Sequence, residues 1–237
     1  LIKSSLGKWI DRLLQKINYR YIRRFDYCWV PDAADDDCNL AGELSHPSLL
    51  PITTIRYTGV LSRIKKEKRS SSGKLLVLLS GPEPQRTIFE QKIVEELNRF
   101  QQPAILVRGL AASTPVSSSS LLEIHQHLPA MQLQQAINEA EIIISRSGYS
   151  TIMDTLPLGK KCIFIPTPGQ PEQEYLAGYL AAKGWCCTAS QHDFSLSSLL
   201  EQAGHLRLPD LSNLNDPGQV GRLIQELLKK STSAINN

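Results

Sequence analysis

Apolar residues recur along this chain with two distinct periods. From Gly73 onward, short runs rich in Leu, Ile and Val, at 75–79, 104–107, 122–125, 142–144, 162–165 and 185–188, alternate with stretches whose apolar positions fall three to four residues apart. The runs predict strands buried on both faces, and the stretches predict amphipathic helices at 86–100, 131–140, up to 156, at 173–183, from 196, and at about 220–229. Regular alternation of this kind makes an α/β fold, a Rossmann-like parallel sheet with helices on both faces. Ligands of such sheets bind outside the carboxyl ends of the strands.

The chain before Gly73 is less regular. Trp9, Ile10, Leu13, Leu14, Ile17 and Tyr21 recur at helical spacing, and Lys8, Arg12, Lys16, Arg20, Arg23 and Arg24 fill the other face. This helix either lies on an anionic membrane surface or packs its apolar face on further protein with the basic face in solvent; the second reading is preferred. The stretch FDYCWVPD reads as a short strand ended by proline, and IRYTGVLSR as a strand and turn. The basic, serine-rich run 65–73 is expected to be a mobile loop, 113–120 a second serine-rich loop, and the tail STSAINN disordered.

Composition narrows the class. The chain has 237 residues and a net charge of +3, too little to argue for nucleic acid, and no run approaches the roughly 20 apolar residues of a membrane span. Five cysteines without regular spacing suggest a reducing, cytoplasmic compartment, with Cys186 and Cys187 packing as small hydrophobes. The chain shows no signal peptide and begins with Leu1 inside a helical pattern, so a piece or a mature product of a longer protein is expected. Asp35-Asp36-Asp37 looks like a D-x-D metal motif, but the surrounding pattern favours a solvated acidic loop, and no metal or cofactor is expected. His46 either faces a cleft or is structural, the latter preferred; His125 and His127 are read as structural.

Three strand-to-helix turns carry candidate chemistry. In Arg146-Ser147-Gly148-Tyr149-Ser150-Thr151 a helix start presents unpaired N–H groups and hydroxyls, with Gly148 allowing a tight turn and close approach. A diphosphate suits this place; the alternative is a capped helix, with Thr151 and Asp154 forming a T-x-x-D capping box. The second turn crowds Gln170, Glu172, Gln173 and Glu174 at one strand end, where amides and carboxylates suit sugar hydroxyls, or where acid merely complements the helix dipole. The third, SGPEPQRT, offers Gly81, backbone N–H groups and Arg86 to a phosphate, although its prolines remove donors.

The stretch ISRSGYSTIMDTLPLGKKCIFIPTPGQPEQEYLA resembles the donor-binding half of GT-B glycosyltransferases, and within them glycosyltransferase family 28. Arg146, Ser147, Gly148, Thr151 and Asp154 fall in register with the family pattern R-S-G-x-x-T-x-x-E; Gly159, Pro166 and Glu172-Gln173-Glu174 follow. The resemblance spans about 55–230 and is specific at 146–175. It implies a donor domain at 55–230, preceded at 1–54 by the end of an acceptor-binding domain and followed by the tail 231–237. It further implies that Ser147 and Gly148 lie against a diphosphate, Asp154 holds ribose hydroxyls, and Gln173 and Glu174 meet the sugar. Backbone near Leu128 would meet uracil, and Gly81 would belong to the phosphate loop.

The activity implied is metal-independent transfer from a UDP-sugar of the N-acetylglucosamine type to an acceptor hydroxyl, in a bacterial-type enzyme. The acceptor is not named by the sequence, although the family suggests a lipid-linked one and peripheral contact with the inner face of the membrane. The catalytic base is expected in an absent N-terminal half or a partner chain, so this chain alone should transfer little. Three features depart from the pattern: Asp154 replaces glutamate, Gly-Pro-Glu-Pro-Gln replaces a glycine-rich loop, and Lys160-Lys161 replaces x-Pro. Competing readings are a UDP-sugar epimerase or hydrolase of the same fold, a non-catalytic UDP-sugar-binding subunit, and a protein in which the turns are only capped helices.

Overall fold

The computed structural model describes residues 8–67, 72–110, 120–214, 216 and 218–235; all but the last residue of the expected loop at 113–120 and part of that at 65–73 lie outside them. The chain forms two compact units, Leu1–Ser62 with Leu211–Asn237, and Arg63–Asp210. These bounds differ from the expected 1–54 and 55–230, because the last helix belongs with the first unit.

In the first unit α1 (Lys8–Ile22) precedes β1 (Tyr27–Val30), which pairs in parallel with β2 (Thr54–Tyr57); the last helix of the chain, α7 (Gln219–Ile235), completes it. The loop after β1 closes around the fully buried Asp32 carboxylate, which accepts from the N–H groups of Ala33, Leu40 and Ala41 and from Ser45 Oγ. Four donors offset the desolvation of a buried charge. Gly59 lets the segments 58–60 and 211–219 meet: at its φ of +70°, a Cβ would lie 2.9 Å from Leu214 O. His46 stacks on Tyr57 at 4.6 Å and bonds Ser45 Oγ through Nδ1, a structural arrangement. In α1, Leu13, Ile17 and Tyr21 are about half exposed, so that stripe packs only partly within the unit. α7 runs to Ile235, past the expected end near Lys229, because no Gly or Pro follows Gly221 to stop it. Most of the tail expected to be disordered is therefore helical backbone, and only residues 236–237 fall outside the description.

The second unit is a six-stranded sheet of β3 (Leu75–Leu78), β4 (Ala104–Val107), β5 (Leu122–His125), β6 (Ile142–Ser145), β7 (Lys161–Phe164) and β8 (Cys187–Thr188). The spatial order is β5-β4-β3-β6-β7-β8, with every pair parallel. Between the strands run α2 (Gln85–Phe100), α3 (Ala130–Glu139), α4 (Tyr149–Thr155), α5 (Pro171–Ala182) and, after β8, α6 (Leu196–Gly204). Leu75, Val77, Leu106, Ile144 and Ile163 of the strands pack with Phe89 and Ile93 of α2 and with Leu196 and Leu199 of α6, all buried. This is the doubly wound order whose reversal point lies between its first and fourth strands, β3 and β6. β8 is shorter than the expected 185–188. Gly184, at φ +71°, ends α5, and the Trp185 N–H returns to Leu180 O at 3.0 Å, so Trp185 closes the helix instead of entering the sheet.

Candidate functional site

A cavity of about 220 Å³ opens where the sheet reverses. Its walls come from the ends of β3 and β4, the stretch after β5, and α3 and α4; Arg63, Ser80, His127, Leu128, Thr151 and Asp154 are among the residues lining it. Arg63 arrives with the chain segment that enters this unit. That segment is pinned along α3, where the Lys65 N–H donates to Gln134 Oε1 at 3.1 Å and the Glu67 N–H to Asn138 Oδ1 at 2.9 Å. Arg63 Nε stands 3.8 Å from Asp154 Oδ2, with side chains 68% and 17% exposed respectively, so a screened cation sits beside a sheltered carboxylate.

The turn after β6 is not built as the capping-box reading of the sequence expects. α4 starts at Tyr149 with Gly148 as its N-cap, and no side chain caps it. The T-x-x-D capping box is therefore corrected: Thr151 is already the third helical residue, and its carbonyl accepts from Thr155 Oγ1 at 2.8 Å. Gly148 has ordinary extended backbone (φ −69°, ψ 138°), so the turn does not require glycine; what glycine leaves is space, since a Cβ there would meet nothing within 4 Å. Ser147 is fully buried and donates through Oγ to the Gln173 carbonyl at 2.8 Å, which joins this turn to the one after β7.

Arg146 does not reach out from that turn, and among the described residues it pairs with no carboxylate. Its guanidinium runs inward, 1% exposed, and donates to the carbonyls of Ile165, Pro166 and Gln85 and to Gln191 Oε1, with Phe89 at 4.6 Å beneath it. Burial pushes its pKa down to about 10, which still leaves it charged at neutral pH. It ties the start of the loop after β7 to the first residue of α2 and to the loop after β8. Arg86 is likewise committed, to Glu83 and Glu90, and lines no part of the cavity.

The glutamine–glutamate cluster is largely satisfied within its own loop. Gln173 Oε1 accepts from the Thr167 N–H at 2.9 Å and its Nε2 donates to Gln170 Oε1, while Glu174 Oε1 accepts from the Gly169 N–H at 3.1 Å. Gln170 is the N-cap residue of α5, and Glu172 and Glu174 stand in its first turn. Gly81 needs its glycine, with φ +103°. The structure thus gathers Leu128, Thr151 and Asp154 around one cavity with Arg63, which the sequence reading had not singled out. Ser147, Gly148, Gln170, Gln173 and Glu174 form an adjoining pair of linked turns. Arg146 and Arg86 sit below, as supports.

The two lysines that break the family pattern have structural work. Lys160 Nζ donates to the carbonyls of Asn138 and Ala140 at the end of α3, and Lys161 Nζ to Gly204 O at the end of α6. Cations at helix C-termini complement the dipole and fill orphan carbonyls. Among the described residues no group of three His, Cys, Asp or Glu side chains is arranged to hold a metal ion, and no helix is long and apolar enough to cross a membrane. All five cysteines are free thiols.

A doubly wound parallel sheet with a cavity at its reversal point is the architecture of a nucleotide-binding α/β domain, here of the GT-B type. The family model described as glycosyltransferase family 28 C-terminal domain matches residues 108–231, more than half of the chain, and the chain belongs to this family. A similar curated protein is the UDP-N-acetylglucosamine--N-acetylmuramyl-(pentapeptide) pyrophosphoryl-undecaprenol N-acetylglucosamine transferase of Rickettsia rickettsii (strain Sheila Smith). It is 30% identical over 139 residues, 57% of this chain and 34% of its own length. The protein of the same description from Haemophilus ducreyi is 36% identical over 69 residues, 29% of this chain and 19% of its own length. This chain thus spans about a third or less of these two relatives. Among solved structures, the calicheamicin glycosyltransferase CalG4 matches with a TM-score of 0.57 at 11% identity, over 97% of this chain and 63% of that one. The spinosyn forosaminyltransferase SpnP matches with a TM-score of 0.51 at 16% identity, over 77% and 53% respectively. Both show the fold.

Proposed function

We propose that residues 63–210 form the donor-binding unit of a glycosyltransferase and take a UDP-sugar, of the N-acetylglucosamine type named in the curated relatives. The observation that carries this reading is the cavity at the β3–β6 reversal point, with the Asp154 carboxylate in its wall. A carboxylate sheltered from water and facing a cavity is suited to accept from two ribose hydroxyls. Leu128 offers an apolar surface and neighbouring backbone to the base. Arg63 compensates for the shorter reach of Asp154, because it presents a guanidinium to the same hydroxyls or to the phosphate beside them.

The diphosphate is assigned to the turn after β6. There α4 begins without a side-chain cap and Gly148 leaves room for a close approach. The other two helix starts are less open, since Glu83 accepts from the Thr87 N–H at α2 and Gln173 and Glu174 accept from loop N–H groups before α5. Fixed N–H groups facing a departing diphosphate stabilise the charge that develops on it, and transfer is proposed to run in this way without a metal. Gln173 and Glu174 are proposed to meet the sugar by exchanging contacts within their loop for contacts with its hydroxyls.

The acceptor, the base that deprotonates it and the rest of the acceptor site are proposed to lie on polypeptide beyond these 237 residues or on a partner chain. A lipid-linked acceptor fits the relatives' printed description, and the groove of about 470 Å³ between α1 and Leu49–Ile52, edged by Lys16, Arg20 and Arg23, suits peripheral contact with an anionic membrane. Saturation-transfer NMR with UDP-N-acetylglucosamine tests the donor reading. Uridine protons should receive saturation from the native chain and not from Asp154→Ala; a signal equally strong in both would remove Asp154 from the site.

A further inference from the structure

Two side-chain amides on α3 read the main chain of the segment that enters the second unit. Gln134 Oε1 accepts from the Lys65 N–H at 3.1 Å. Asn138, one turn further on, accepts from the Glu67 N–H at 2.9 Å through Oδ1 and donates through Nδ2 to the Lys65 carbonyl at 3.0 Å. Gln134 Nε2 also donates to the Glu67 carboxylate. Residues four apart lie on one face of a helix, so the two amides act as a single clasp. Leu133 and Ile137, the residues just before them, line the cavity at the sheet's reversal point. One helix therefore carries both the clasp and a wall of the cavity.

The clasp fixes the register of the segment. Asn138 is 4% exposed, and a buried amide is costly unless its hydrogen bonds are made. They are made only while residues 65–67 lie where they do. Ile64, next to Lys65, is buried as well. A slip by one residue would offer Lys66 to the clasp in place of Lys65, draw Ile64 out of the core and carry Arg63 along by roughly 3.3 Å, the rise of an extended chain. Arg63 Nε stands 3.8 Å from Asp154 Oδ2, so a shift of that size decides whether the two meet. The ion pair does not set the register itself, because the Arg63 side chain is largely exposed and a screened pair contributes little.

We propose that Gln134 and Asn138 are positioning residues for the donor site: by clasping the main chain at 65–67 they hold the Arg63 guanidinium at the cavity mouth beside Asp154, ready for the donor. The inference rests on the nucleotide-sugar reading above. Neither amide lines the cavity, so both act through Arg63. The clasp bonds Lys65 by its main chain alone and Glu67 by main chain and carboxylate, so the side chain at 65 is free to vary while the place of Arg63 is not. An arginine that arrives already oriented spares the donor the entropy of ordering it.

The test is a double-mutant cycle read by calorimetric titration of the whole chain with UDP and with inorganic pyrophosphate: native, Gln134→Ala, Arg63→Ala and the pair together. Gln134→Ala should weaken UDP by about fivefold, the order of one exposed charge contact, and should have no further effect once Arg63 is alanine. An equal loss in both backgrounds would make Gln134 a merely structural residue and overturn the proposal, as would UDP binding unchanged by Gln134→Ala. Should Gln134→Ala not fold, Gln134→Met, of similar length and without the amide, takes its place under the same criteria. A native chain that binds pyrophosphate but not UDP would defeat the nucleotide reading alone, and the same cycle with pyrophosphate then decides the clasp. Binding of neither ligand would overturn both.

Discussion

Ser147 Oγ donates to the carbonyl of Gln173 at 2.8 Å, and this one bond couples the turn proposed for the diphosphate to the turn proposed for the sugar. Ser147 ends no strand and caps no helix. It lies buried between β6 and α4 and fixes the first turn of α5 beside them.

Replacing that hydroxyl separates its two roles. Ser147→Ala should lower stability by about 1 kcal/mol, the usual net worth of such a bond. Loss of alignment between the turns should weaken UDP-N-acetylglucosamine more than UDP, because only the former spans both. Chemical denaturation and parallel titrations of the two ligands check this; equal loss for both would confine Ser147 to the phosphate side.

Arg146 is expected to matter to stability before it matters to binding. Arg146→Met removes four donated contacts and leaves three carbonyls and Gln191 without that partner, which should cost on the order of 3 kcal/mol. Arg146→Lys, with fewer donors in a different geometry, should recover only part of it. Urea unfolding of the two variants against the native chain measures the difference.

The lysines at 160 and 161 provide a contrast. Lys160→Met and Lys161→Met should each destabilise by about 1 kcal/mol through lost contacts at the ends of α3 and α6. Neither lines the cavity, so UDP affinity should stay within experimental error.

Three thiols should make the protein sensitive to alkali. Burial pushes the Cys162 pKa up from 9.0 to about 12 and raises those of Cys186 and Cys187 as well. A folded thiol that keeps its proton while the unfolded one loses it contributes full stability below pH 9, and that contribution falls as pH climbs toward 12. Urea midpoints at pH 8 and pH 10.5 should show the decline, smaller in Cys162→Ala. At neutral pH a thiol reagent should label Cys28 and Cys38, which are partly exposed, well before the buried three.

Much of this architecture is legible in the chain because a strand buried on both faces must be apolar throughout. The runs at 104–107 and 122–125 coincide with β4 and β5, and the doubly wound class follows from strand–helix alternation alone. What stays hidden depends on where a side chain turns after leaving its backbone. The run Arg146-Ser147-Gly148 reads the same whether the guanidinium points to solvent or to Phe89, and only packing distinguishes them. Arg63 is invisible for a related reason: it is one arginine in a basic stretch until Lys65 and Glu67 bind along α3 and bring it to Asp154. The capping box misleads because T-x-x-D is a short pattern, and the helix begins at Tyr149, two residues before Thr151, after an N-cap glycine that no periodicity marks. The segment leading into the chain's last helix joins the first unit where Gly59 meets Leu214 and Gln219, a close approach between residues remote in sequence that no local pattern reports.

The most direct measurement of the central claim is calorimetric titration of the whole chain with UDP and with ADP, each with and without EDTA, on the native protein and on Asp154→Ala. Binding of UDP in preference to ADP, unchanged by EDTA and lost in Asp154→Ala, is the result this account predicts. Equal binding of the two nucleotides, binding abolished by EDTA, or no binding of UDP at all would contradict it.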